Sequence, residues 1–124
     1  MAITAFGKAV RKARIDTDET MVSMAENLGV SVAFLSSLEN GRKKIPTEWV
    51  RKISDFFAER GKIIKDLQNL ADVSNENVAI DNLPFEHQML ISHFAKTRLS
   101  PEQLEQVAAL MKQLEETNQG KEEK

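Results

Sequence analysis

The chain has 124 residues, 41% hydrophobic and 29% charged, with a formal net charge of −2, which is the size and composition of one ordinary globular domain or of a small domain with an appendage. Cysteine is absent, which excludes disulfides, Cys-ligated zinc, iron–sulfur clusters and thiol catalysis. No run of 18 apolar residues occurs, which excludes a membrane-spanning helix of ordinary length.

Glycine totals 5, proline 3 and tyrosine 0; strands are poorly supported and helical periodicity dominates. The opening MAITAFGKAVRKAR mixes charge into apolar positions at helical spacing, so a first helix is expected rather than a signal peptide. Thr4 can cap it, with Phe6, Ala9, Val10 and Ala13 on one face. Thr20 can cap a second helix carrying Met21, Met24, Ala25 and Leu28, ended by Gly29, which is free to take positive φ. Ser31 starts a third, with Phe34, Leu35 and Leu38 apolar and Asn40-Gly41 as its stop; partial burial is expected for Phe34. Pro46-Thr47 opens a fourth with Trp49, Val50, Ile53, Phe56 and Phe57. After a break at Gly61, a fifth helix is expected to hold Ile63, Ile64, Leu67 and Leu70.

Composition shifts over residues 72–82, DVSNENVAIDN, which read as a linker. Within it Val78-Ala79-Ile80 could form one short strand. Leu83-Pro84 introduces a sixth helix with Phe85, Met89, Leu90 and Phe94. Ser100-Pro101-Glu102-Gln103 is a helix start, with Ser at the N-cap, Pro in the first helical position and Gln103 closing a capping box. The seventh helix is expected to run to about Thr117, and residues 119–124 to be a disordered tail. The expectation is an all-α chain: residues 1–71 as one domain of five helices, then the linker, then a helical region over 83–118.

The net charge hides an asymmetry. Residues 1–71 carry 12 Lys/Arg against 9 Asp/Glu, and residues 72–124 carry 5 against 10, so the front half is +3 and the back half −5. A basic front suggests an anionic partner. Residues 20–41, TMVSMAENLGVSVAFLSSLENG, suggest which one. Two short helices joined across Leu28-Gly29-Val30 pack steeply only when particular positions are small or apolar. Ala25 permits close approach, Gly29 makes the turn, and Val30, Leu35 and Leu38 seal the pair. That is the pattern of a helix-turn-helix, whose second helix enters the major groove of DNA.

The stretch Gly29-Val30-Ser31-x-x-x-Leu35-Ser36-x-Leu38-Glu39-Asn40-Gly41 resembles the Cro/CI-type (Xre-like) repressor family, and the resemblance extends over roughly residues 4–70. It implies a five-helix DNA-binding domain in a cytoplasmic, nucleoid-associated regulator of bacterial, phage or plasmid origin. It implies base reading by Val32, Ala33 and Ser37 on the third helix, and phosphate binding by Thr20, Ser31, Arg42, Lys43 and Lys44. It further implies an internal ion pair between Arg14 and Glu39. Lys8, Arg11 and Lys12 either widen the positive field or are merely solvated. Val32 and Ala33 depart from the polar residues common in the family. Apolar side chains contact thymine methyls but form no bidentate bonds to bases, so thymine-containing steps and DNA shape are expected to supply much of the specificity.

The back half is not covered by that resemblance. Leu104, Val107, Met111 and Leu114 are spaced 3, 4, 3 and form a heptad-like seam expected to dimerise the chain. Two heptads are short for an independent coiled coil; the other reading is an amphipathic helix folded on its own domain, and Val78–Ile80 could pair with its symmetry mate. The leading expectation is therefore a homodimeric, double-stranded-DNA-binding transcriptional regulator, a repressor on a palindromic operator. The alternative is an antitoxin-like protein that binds its own promoter and holds a small basic protein partner through its acidic back half. A third reading is an interaction module that no longer binds DNA. An enzyme has no support: no nucleophile–base set or phosphate loop is present, and His87 and His93, six apart, form no metal-ligand pattern, so neither cofactor nor metal is expected.

Overall fold

The computed structural model describes residues 3–122, with side chains through 119. Among them the chain is all-α, with helices α1 (Ala5–Asp16), α2 (Met21–Leu28), α3 (Val32–Glu39), α4 (Thr47–Ala58), α5 (Leu67–Asn75), α6 (Phe85–Lys96) and α7 (Pro101–Glu122). It divides into two compact units, Met1–Ala79 and Ile80–Lys124.

In the first unit the helix starts are set by local chemistry. Thr4 Oγ1 accepts the Gly7 amide at 3.0 Å, Thr20 and Ser23 cap α2 reciprocally, and Ser31 Oγ accepts the Phe34 amide at 3.0 Å. Each side chain satisfies a first-turn amide that has no partner within the helix. α2 ends at Gly29, whose φ of 71° is left-handed. The Gly29 and Val30 amides then bond back to the Glu26 and Ala25 carbonyls, and the chain direction turns through 108° between α2 and α3.

α1 packs on α3 and α5, α2 on α3, and α4 on α5. Phe6, Val10, Met24, Leu35, Leu38, Ile53 and Phe57 fill the core. The closest approach is at Gly7: a Cβ there would lie 2.3 Å from the Glu39 carbonyl oxygen. The same carbonyl accepts the Thr4 amide at 3.1 Å and the Thr4 hydroxyl at 2.9 Å, so the first turn of α1 is fastened to the last residue of α3.

Between Gly61 and Ile80 three expectations need correction. The fifth helix does not include Ile63 and Ile64; α5 begins at Leu67. Gly61 closes α4 with φ 80°, Lys62 is held by Asp16 at 2.9 Å, and the chain leaves the helical path there, with Ile63 exposed and Ile64 packed against the core. Adjacent β-branched residues also favour extended backbone. Residues 72–75, read as linker, are instead the last turn of α5, held by Ser74 Oγ accepting the Phe6 amide at 3.4 Å and by Asn75. Val78–Ile80 form no strand, because no second strand pairs with them among the described residues.

In the second unit, the capping box at Ser100 and Gln103 is closed in both directions, at 2.9 and 3.1 Å. α7 continues past Thr117 to Glu122. Residues 119–122 of the expected tail are therefore helical, and 123–124 lie outside the described residues. From Ile80 to Gln119 no residue is buried. Leu83, Phe85, Met89, Leu90, Ile91 and Phe94, and Leu104, Leu110, Met111 and Leu114 on α7, are all exposed large hydrophobics.

Candidate nucleic-acid interface

The 108° turn puts the inner face of α3, Leu35 and Leu38, into the core and leaves its first turn facing solvent. Ser31, Val32 and Ala33 are exposed there, Val32 by 42%. Ser37 is half-buried and its hydroxyl donates to the Phe34 carbonyl at 2.6 Å. Its free lone pairs then make it an acceptor, suited to the amino groups of adenine or cytosine rather than to guanine. Ser36 accepts the Asn40 side-chain amide at 3.0 Å and so serves the helix end.

The basic loop follows directly. The Arg42 and Lys43 amides both donate to the Ser37 carbonyl, at 3.1 and 3.2 Å, which folds the loop back along the end of α3. Arg42, Lys43 and Lys44 are exposed. Lys43 Nζ lies 5.2 Å from the centre of the Phe34 ring, and Phe34 meets Trp49 edge-on at 4.9 Å. Lys52 completes the row, 4.6 Å from the centre of the Trp49 ring. The half-buried Phe34 thus draws one lysine toward α3 by cation–π attraction. Lys44 differs: its Nζ donates to the Asn75 carbonyl at the end of α5, which anchors the loop and engages a charge expected to meet phosphate.

Two further hydrogen bonds fix the loop. The Ile45 amide donates to Asn75 Oδ1 at 2.9 Å, and Asn75 Nδ2 donates to the Ile45 carbonyl at 3.0 Å. The sequence pattern puts Asn75 in the linker, and nothing local distinguishes it, since its partner is 30 residues away. The sequence puts Phe34 and Trp49 on their helices but does not show the aromatic row they form with Lys43 and Lys52.

At the start of α2, the Thr20 hydroxyl accepts the Ser23 amide at 3.0 Å and Thr20 itself is exposed. Glu19 is adjacent. Its carboxylate accepts the Ser23 hydroxyl at 2.7 Å and pairs with Arg60 at 3.2 Å. These contacts hold its pKa below the ordinary glutamate value, the Ser23 hydrogen bond most and Arg60 next, against the opposing effect of partial desolvation. Arg60 also lies 3.7 Å from the centre of the Phe56 ring, so Glu19 is neutralised by a fixed cation beside the helix start.

Arg14 and Glu39 meet inside the domain. Two parallel bonds, 2.6 and 3.0 Å long, join the guanidinium to the carboxylate, and the residues are only 7% and 3% exposed. Met24 Sδ lies 3.6 Å from the same guanidinium nitrogen. The pair ties α1 to α3, while Lys8, Arg11 and Lys12 remain exposed on α1.

Leu104, Met111 and Leu114 are exposed and Val107 is half-buried; all four belong to the second unit. Among the described residues no group of three or more His, Asp or Glu converges as a metal site, and no single helix is long and apolar enough to cross a membrane. No protein-family model, curated protein or solved structure matches the chain.

Proposed function

We propose that this protein is a sequence-specific double-stranded-DNA-binding regulator, in which α2 and α3 form a helix-turn-helix of the Cro/CI type and α3 reads the major groove. The observation that carries this reading is the 108° turn at left-handed Gly29, which leaves the start of α3 exposed beside the Arg42–Lys44 loop. Helix-turn-helix pairs meet at roughly 90–120° across a short turn that often contains Gly. The exposed side chains of Arg42 and Lys43, on a loop anchored to the end of α3 and flanking an exposed helix start, are the equipment for phosphate contact, which supplies a large share of the affinity of such proteins.

Specificity then comes from apolar contact. Val32 and Ala33 suit thymine methyls, Ser37 offers an acceptor, and DNA shape accounts for the rest. One such helix binds weakly. A dimer on a palindromic operator, with half-sites about 34 Å apart, provides the second. Repression follows if that operator overlaps a promoter.

The test is selection of bound fragments from random duplex DNA at near-physiological salt. An inverted repeat with half-sites one turn apart is the expected product. Recovery of nothing above background would show that the helix pair is a scaffold rather than a reader.

A further inference from the structure

The second unit presents an apolar surface that its own two helices do not cover. Phe85 is 73% exposed and Leu90 66%. On α6, Phe85, Met89, Leu90, Ile91 and Phe94 spread over about 240° of the helix circumference, interleaved with Glu86, His87, Gln88, His93 and Lys96, a wider apolar distribution than the single stripe of an ordinary surface helix. α7 adds a stripe at Leu104, Val107, Met111 and Leu114, widened by Ala108 and Leu110. Exposed apolar surface on this scale marks an interaction site. A unit with no buried residue from Ile80 to Gln119 has no core of its own.

We propose that this surface is covered by a second copy of the same chain, α6 and α7 of each copy packing with those of the other into a four-helix bundle. Area supports the occupant. The exposed large side chains of α6 and α7 offer on the order of 1,000 Å² of apolar surface, against the roughly 800 Å² per partner of a stable interface. Charge supports it too. With Leu104 and Met111 at the first heptad position, the flanking positions are Gln103, Ala108, Leu110 and Glu115, and three of these four are uncharged. Glu102, Glu105 and Glu116 fall on the outer side, where they neither repel an identical helix nor recruit a basic one. Apolar residues beside the seam suit a bundle of more than two helices, and α6 supplies the extra helices that two heptads lack.

This deepens the dimeric part of the proposed function and rests on that reading only for the symmetry of the operator, so its test contains no DNA. Sedimentation equilibrium of the full chain from ~1 to ~100 µM should give twice the 14.0 kDa chain mass. Met111→Glu and Leu90→Glu should each raise the dimer dissociation constant at least about a hundred-fold, because each places a charge in an apolar seam. Gln106→Glu, on the outer side, should leave it unchanged. Trp49 lies in α4 of the first unit, so its emission reports that this unit remains folded in every variant. A monomeric wild type overturns the proposal, as does a dimer that survives both charge insertions or a different protein bound stoichiometrically in place of the second copy. A dimer that selects no DNA sequence leaves this interface standing and removes the DNA reading instead.

Discussion

The side-chain amide of Asn75 pairs with the backbone of Ile45 in both directions, accepting its N–H at 2.9 Å and donating to its carbonyl at 3.0 Å. The Asn75 carbonyl in turn accepts Lys44 Nζ. The end of α5 thus holds the loop that carries Arg42 and Lys43. Asn75→Ala should destabilise the first unit by about 1–3 kcal/mol, since it leaves a partly buried amide and carbonyl unpaired. That corresponds to a fall in Tm of at least about 4 °C for a domain of this size, followed through Trp49 emission. It should also weaken binding to every DNA sequence alike, because it loosens a backbone contact and not a base contact. An unchanged Tm would show that the clamp is open in solution.

The bidentate Arg14–Glu39 pair sits where an unpaired charge has no access to water. Arg14→Met or Glu39→Leu alone should cost about 3–5 kcal/mol, while the double variant should recover most of the loss, since removing both charges also removes the desolvation penalty. Urea unfolding of the three variants measures the coupling. Additive losses would mean that the two side chains do not depend on each other.

The starts of α1, α2 and α3 are legible in the sequence because their caps are local: Thr4, Thr20 and Ser31 each bond an amide three residues on, while α4 is marked by Pro46 alone. The limits of α5 are not, because distant partners set them. Lys62 is drawn to Asp16, and Asn75 to Ile45. The same division holds for the candidate site. Val32, Ala33 and the basic loop are readable as positions after a turn, but the engagement of Ser37 by Phe34, of Lys44 by Asn75 and of Lys43 by an aromatic ring depends on how side chains settle in three dimensions.

Glu19 makes part of the stability dependent on pH. Its pKa lies below the ordinary value of about 4.5, through the Ser23 hydrogen bond first and Arg60 second. A depressed carboxylate contributes stability that is fully present above the unfolded-state pKa and is lost as pH falls from there through the folded value. Asp16, lowered by its hydrogen bond to Lys62, acts in the same direction below its ordinary value of 3.8. The Tm difference between wild type and Glu19→Gln should therefore be constant above about pH 5 and shrink below it. A difference that grows on acidification would contradict the assignment.

Lys43 and Val32 should separate affinity from specificity. Lys43→Ala should weaken binding to all sequences and reduce the slope of log K against log salt by about one unit, as expected for one phosphate contact. Phe34→Leu, which removes the ring 5.2 Å from Lys43 Nζ, should reproduce part of that loss while leaving the salt slope in place, because the charge remains but is less well positioned. Val32→Ala should act differently. It removes apolar surface that is 42% exposed in the free protein, and it should lower affinity by about 1 kcal/mol, roughly five-fold, only for sites with thymine at one position. Binding isotherms on a panel of duplexes that differ at single base pairs distinguish the two effects. If Val32→Ala weakened every duplex equally, the exposed start of α3 would not be the part of the protein that reads DNA.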